Sequence, residues 1–583
     1  MGQIFTDSIK EVIEIINSPI DFMFKETAIN SFRRKIHIPE EKTIAEYYYE
    51  TVKNNKERGI VYTPIPMAKY LIENTIKEDD VIKNPFIKIV DPACGTGNLL
   101  IECFNHLKCI YEKNLNELNK HKGLKLKVNA INSHIIKHNL YGFDTDEIAL
   151  DILRLDLFSI SGEAIENLYN EDYLLSERAA KYDIVIGNPP YIGPKSIDKE
   201  YSIRLKTLYK EVYKDKSDIS YCFFKRSIDM LQEAGKITFI TSRYFLESSS
   251  GKDLRGIIRE FMSISKLIDF YGVRPFKGIG IDPVMIFMEK GKKESREIEV
   301  IKPLSDKGKK DGNFYRSLFL NEGNEYKRFF ISESSLKGES WIIRDNTVKD
   351  IISRIEEKCE YLLSDICTSH QGIITGCDRA FVVKMETSEK ENLENDILKP
   401  WIKGSYIRKN EVNRQNSYII YSDLIKKEDE YPNSIRYISE YKDKLSMRRE
   451  CARDIRQWYQ LQWGRTQNIF EEKKIIFPFK AGSNKFALDE GSYFSADVYA
   501  LRLKEQEKFT YEFLLFILNS NLYEFYFKAF AKKLGEDLYE YYPNNLMKLR
   551  IPDLKAFNTL TEDELYSYFN ITEEEVEVIK SYL

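Results

Sequence analysis

The apolar run Ile184-Val185-Ile186 lies between Asp183 and Gly187, a rhythm that predicts a short strand stopped by a glycine. Similar β-rich runs stand at Ile87–Val90, at Leu140–Phe143 and from Asn167 onward. Between them the apolar spacing turns helical, as in Leu99, Leu100, Ile101 and Phe104 and again in Ile148–Leu153. Strands alternating with helices predict a parallel α/β sheet. Farther on, Ser217–Phe224 opens an amphipathic helix, Gly235–Thr241 reads as a strand after a glycine break, and Lys266–Phe270 with Val284–Met288 reads as a closing β-hairpin. Residues 1 to about 55 have helical spacing (Ile9, Val12, Ile13, Ile15, Ile16) and show no chemistry of their own.

In an open α/β sheet, ligands bind beyond the carboxyl ends of the strands, so the residues at those ends matter most. The first strand runs into Asp91-Pro92-Ala93-Cys94-Gly95-Thr96-Gly97-Asn98, a turn in which Gly95 and Gly97 let the backbone approach a ligand. Leu100 stands where a dinucleotide fingerprint has its third glycine, and no Gly-Lys-Ser/Thr follows for a phosphate loop. An acid at this strand end suits a cationic ligand, and S-adenosyl-L-methionine, with its amino group and sulfonium, meets that need. After the second strand, Asp144 is the candidate acceptor for ribose hydroxyls, and Asp146 the cap of the next helix. Asp172 and Tyr173 suit an adenine ring, one accepting from its amine and the other contacting its face. Upstream, Tyr62 and Thr63 precede Pro64, and Thr63 is placed to cap the helix beginning near Met67. Gly187 leads into Asn188-Pro189-Pro190-Tyr191, an amide, two rigid prolines and an aromatic ring, which together suit a planar substrate.

Length and charge extend this reading. A chain of 583 residues exceeds what one core supports and calls for two or three domains. The stretch from Lys290 to Asn313 turns polar and rich in glycine and lysine, which places a boundary near residue 300. The expected division is a helical extension over 1–55, a cofactor-binding domain over 56–300 and a second domain over 301–583. The net charge of −4 does not advertise nucleic-acid binding, yet from Lys442 to Lys485 there are 11 Lys or Arg against five Asp or Glu. Aromatic residues interleave with that charge at Arg448, Arg449, Arg453, Arg456, Trp458, Tyr459, Trp463 and Arg465, which makes this the candidate DNA-binding patch. Lys532, Lys533, Tyr541, Tyr542 and Asn544 form a lesser candidate, and Phe513–Phe527 reads as a core helix. The eight cysteines show no C-x-x-C pair, and His134 and His138 lack the companions a zinc site needs, so no metal is expected. No apolar run is long enough for a membrane span and the start lacks a signal pattern, so the expected location is the cytoplasm.

Taken together, the glycine turn, the strand-end acids and the later Asn-Pro-Pro-Tyr resemble the N6-adenine DNA methyltransferases. Their order is similar to the gamma class, the arrangement of Taq-type enzymes and type IIG methylase domains. Longer phrases extend the resemblance to the solitary clostridial adenine methyltransferases. These include Arg243-Tyr244-Phe245-Leu246-Glu247-Ser248, Gln371-Gly372-Ile373-Ile374-Thr375-Gly376-Cys377-Asp378 and Arg456–Arg465. The resemblance implies a Rossmann-like methyltransferase domain with a mixed seven-stranded sheet, followed by an α+β target-recognition domain. It implies S-adenosyl-L-methionine as methyl donor, double-stranded DNA as partner, and a monomer with no obligatory protein partner. It places Tyr62, Thr63, Asp91, Ala93, Gly95, Gly97, Asp144, Asp172, Tyr173 and Asn188 at the cofactor, and Asn188, Pro189, Pro190 and Tyr191 at the reacting base.

Overall fold

The structure, a computed structural model, describes residues 2–52, 62–121, 124–193, 197–276, 281–291, 297–304, 312–336, 340–504, 508–534 and 538–583. The chain separates into two units, one extending to Ile343 and the other running from Arg344 to Leu583. Among the described residues, no helix is long and apolar enough to cross a membrane.

The first unit is built on nine strands: β1 (Ile89–Asp91), β2 (Leu140–Phe143), β3 (Leu168–Tyr169), β4 (Tyr182–Gly187), β5 (Leu231–Ser242), β6 (Met262–Asp269), β7 (Pro283–Lys290), β8 (Glu297–Pro303) and β9 (Tyr326–Ser332). Their order across the sheet is β3-β2-β1-β4-β5-β7-β6-β8-β9. Strands β3, β2, β1, β4 and β5 run parallel, and β7 lies antiparallel between β5 and β6. The first seven strands in this order form the mixed seven-stranded sheet that the resemblance implies. Beyond the polar stretch at residues 291–297, β8 and β9 add two strands to the same sheet.

Gly235 does not break the chain before β5; it lies within the strand, where the pairing with β4 shifts register. A Cβ there would stand 2.9 Å from the carbonyl oxygen of Asp183, so only glycine lets the two strands approach. Helices cover both faces. Met67, Leu71, Leu99, Leu100 and Phe104 pack on one, and Phe224, Ile228, Leu254 and Ile258 on the other. Because β1 and β4 are buried on both sides, they read as continuous apolar runs rather than as alternating ones.

Helix Glu147–Ser161, after β2, buries apolar side chains on two faces. Its inner side chains Leu150, Leu153 and Leu157 join the sheet core. Its outer ones, Ile152, Leu155 and Phe158, complete a separate core with Phe5, Ile9, Val12, Ile16, Ile29 and Phe32 of helices Gly2–Asn17 and Phe22–Ile36. The N-terminal helices therefore pack on a helix of the layer that covers the sheet.

The second unit mixes helices with small sheets. Cys367–Gln371, Val498–Leu503, Lys474–Pro478 and Ala487–Asp489 form one four-stranded antiparallel sheet. Val382–Lys384, Ser417–Ile420, Leu398–Ile402 and Tyr493–Phe494 form another. Helices Tyr511–Asn519 and Asn521–Phe530 are buried, as their composition predicts, and Tyr541 belongs to the same core, its hydroxyl donating to Asn484.

Candidate functional site

The carboxyl ends of β1, β2 and β4 open into a cavity of about 640 Å³. Tyr62, Thr63, Asp91, Ala93, Gly95, Gly97, Asp144, Asp172, Tyr173, Asn188, Pro190 and Tyr191 all line it. Pro189 is buried and is not among the lining residues.

The glycine turn is shaped by backbone conformations that side chains resist. Gly95 has φ of 51° and Gly97 of 84°. A Cβ on Gly97 would meet Leu153 at 2.0 Å, so the turn presses directly on the following layer. Asp144 holds the turn from β2: its carboxylate accepts from the Gly95 amide at 2.8 Å and from the Asp146 amide at 2.9 Å. Asp146 caps helix Glu147–Ser161 by accepting from Ile148 and Ala149. Asp172 accepts from Leu174, and Tyr173 lies nearly parallel to Phe223 with its hydroxyl bonded to Ser227.

Asp91 is almost fully buried and accepts from the amide of Ala93 at 3.0 Å. Burial pushes its carboxyl up to about 8, the Asp144 charge adds to that, and the Ala93 amide opposes it. A carboxylate so disfavoured is stabilised by a cation placed beside it. The acid at β1 and the open glycine turn thus fit the amino group and sulfonium of S-adenosyl-L-methionine.

Thr63 does not cap the helix that follows. Pro64 takes the cap position of helix Ile65–Thr75, with no side-chain cap bond. The Thr63 hydroxyl instead accepts from the Asn188 amide at 3.2 Å, and its carbonyl accepts from Asn98 at 2.9 Å. One residue thus ties the glycine-turn helix to the tetrapeptide. The Asn188 side-chain oxygen accepts from the hydroxyl of Tyr191, a ring that is itself buried.

The phrase around Arg243 supports the sheet. Arg243 bonds Asp269 at 2.9 Å and Glu247 at 2.7 Å. Gly251 leaves room for buried Arg255 to reach the carbonyls of Phe245 and Ser248. His134 donates from its ring Nε2 to the carbonyl of Pro85 at 2.9 Å and packs against His138 and Phe86. Among the described residues there is no group of three or more metal-ligating side chains.

In the second unit the basic patch divides by role. Arg448 donates to the carbonyls of Leu445, Thr375, Trp458 and Gln460, which makes it a brace of the loop. Arg456 is paired with Asp423 at 2.9 Å, and Arg465 bonds Gln371 and the carbonyl of Gly372. Tyr459 is buried, and Trp458 is half-buried under Lys442. Arg449, Arg453 and Trp463 are exposed, as are Met447 and Ile455 beside them in sequence.

Three family models match the chain: MmeI, DNA-methyltransferase domain, over residues 81–174; Eco57I restriction-modification methylase over 138–276; and TaqI-like C-terminal specificity domain over 399–551. Type II methyltransferase M.BstVI of Geobacillus stearothermophilus is 24% identical over 88% of this chain and 93% of its own. The chain is thus similar to type II methyltransferases along most of its length. It is also 23% identical to the type II restriction enzyme and methyltransferase RM.Eco57I of Escherichia coli, over 74% of this chain and 50% of that one. Among solved structures, the type IIL restriction-modification enzyme MmeI in complex with DNA shares the fold with a TM-score of 0.56 at 13% identity, covering 89% of this chain and 72% of that one. The cofactor of this methyltransferase is S-adenosyl-L-methionine.

Among the lining residues that the sequence does not single out are Tyr201 and Tyr49, the latter entering the cavity from the N-terminal helices. Its helix reads as plain amphipathic packing, and nothing local marks the tyrosine that faces the other way.

Proposed function

We propose that the chain methylates the exocyclic amine of an adenine turned out of duplex DNA, giving N6-methyladenine. The observation that carries the reading is that Asn188, at the end of β4, shares one cavity with the cofactor acids Asp91 and Asp144. The cofactor supplies a methyl group on a cationic sulfur, so that as the nitrogen–carbon bond forms the carbon–sulfur bond breaks, S-adenosylhomocysteine leaves and the amine gives up one proton to solvent. The adenine amine is a poor nucleophile because its lone pair is delocalised into the ring. The Asn188 side-chain oxygen and the Pro189 carbonyl accept its hydrogens and favour a tetrahedral nitrogen. Tyr191 stacks on the base, which a duplex cannot present without flipping it. The Tyr191 hydroxyl now donates to the Asn188 oxygen, so an entering amine takes over that bond.

The exposed cations Arg449 and Arg453 serve DNA binding in this reading. The resemblance to solitary clostridial enzymes supports a monomer acting without a nuclease at a non-palindromic, adenine-rich site. The similarity to RM.Eco57I favours the second reading, a modification component of a restriction-modification system. Tritiated S-adenosyl-L-methionine, offered duplex DNA and a protein-glutamine substrate, tests the proposal, with nucleoside analysis of the labelled DNA. Label in N6-methyladenine is expected. Label in methylcytosine or in protein alone would overturn it, and magnesium-dependent cleavage of unmethylated DNA would favour the second reading. Asn188→Ala is expected to abolish transfer while leaving cofactor affinity nearly intact.

A further inference from the structure

Tyr49 lies on the turn Tyr48–Val52, and its ring lines the same cavity as Asp91 and Asp144. It meets Tyr62 edge to face, with centroids 5.1 Å apart and planes at 66°. Its hydroxyl is within hydrogen-bonding reach of Thr96, and it stands 3.4 Å from where a Cβ on Gly95 would be. The phenol therefore covers the gap that the glycine's missing side chain leaves in the turn.

That position is held from the catalytic layer. Asp156 is buried in the middle of helix Glu147–Ser161, where an acid among apolar neighbours is costly. Its two oxygens accept from the backbone amides of Ile44 and Ala45, each at 3.2 Å. Thr43 and Glu46 close a capping box on the same turn, and Tyr48 stacks on Phe5 at 5.5 Å. The helix that carries this anchor is capped by Asp146, two residues after the acid that holds the glycine turn.

We propose that Tyr49 is a cofactor-positioning residue: the N-terminal helices dock on Asp156 and set the Tyr49–Tyr62 pair as an aromatic wall for the cationic end of S-adenosyl-L-methionine. The proposal rests on the cofactor reading of the cavity. Aromatic faces attract cations, so the wall favours the sulfonium over the neutral thioether of S-adenosylhomocysteine.

Calorimetric titration of the full chain with both ligands tests it. Tyr49→Leu keeps apolar bulk without the ring, and is expected to weaken S-adenosyl-L-methionine about tenfold and S-adenosylhomocysteine no more than about threefold, the size of one aromatic contact to a cation. Tyr49→Phe keeps the ring and is expected to stay within about twofold of wild type for both ligands. Asp156→Ala is expected to reproduce the selective loss seen in Tyr49→Leu. Wild-type binding by Tyr49→Leu, or equal losses for the two ligands, would overturn the proposal. A wild-type chain that binds neither ligand would overturn the cofactor reading itself.

Discussion

At the scale of single residues, the proposed place of Asp91 beside the cofactor predicts binding that depends on pH. Burial holds its carboxyl near 8, so at neutral pH most of the free protein carries the proton there. A cationic ligand needs the ionised form, so binding at pH 7 is expected to release a proton and affinity to rise between about pH 6.5 and 8.5. Titrations in buffers of different ionisation enthalpy measure the release, and Asp91→Asn is expected to abolish it. The stability sign follows from the same shift. The folded value exceeds the unfolded one of about 4, so the contribution of this acid is full below that pH and is lost as pH rises through 8. Tyr191 makes a second prediction. Tyr191→Phe keeps the ring proposed to stack on the base but removes the hydroxyl that occupies Asn188, so KM for DNA is expected to fall about two- to fivefold with little change in kcat. Tyr191→Ala loses the ring and is expected to raise KM. Steady-state kinetics on one duplex separates the two.

At the scale of elements, the ends of β5, β6 and β8 are joined by one ion cluster. Asp269, fully buried, bonds Arg243 and lies 3.6 Å from Lys302. Burial alone would raise its carboxyl, but the two cations outweigh it and hold the group down at about 2. Asp269→Asn leaves two buried cations without this partner, and is expected to cost about 3–5 kcal/mol in urea unfolding. Because the folded value lies below the unfolded one, the stabilisation is present above about pH 4 and is lost as pH falls toward 2. The strands themselves were legible from apolar rhythm, since β1, β2 and β4 begin within two residues of where it places them. The role of Thr63 was not. A threonine before a proline and a helix suits a cap, and only the sheet brings Asn188 to its hydroxyl, 125 positions away.

At the scale of the whole molecule, the basic stretch separates into arginines that hold the second unit together and arginines that face solvent. Arg449→Ala and Arg453→Ala are each expected to lower the salt slope of DNA binding by about one, as loss of one phosphate contact does. Arg448→Ala is expected to lower the melting temperature, because it removes donors from the four partly buried carbonyls it now serves. A filter-binding salt series with thermal melts distinguishes the two effects. Composition shows the density of charge, but whether a guanidinium meets a carbonyl or water depends on the loop's path.

The chain's own order of residues determined the α/β class, the positions of the parallel strands, and the set of turns and acids at their carboxyl ends. These are local matters: apolar rhythm selects strand or helix, and glycine, proline and acid mark where a strand must stop. Tertiary structure decided what depends on residues far apart in sequence meeting in space. It put the Thr63 hydroxyl on Asn188, added β8 and β9 to the sheet, and directed Arg448 inward. It also brought Tyr49, from helices that show only packing, to the glycine turn through the buried carboxylate of Asp156, a contact spanning more than 100 residues.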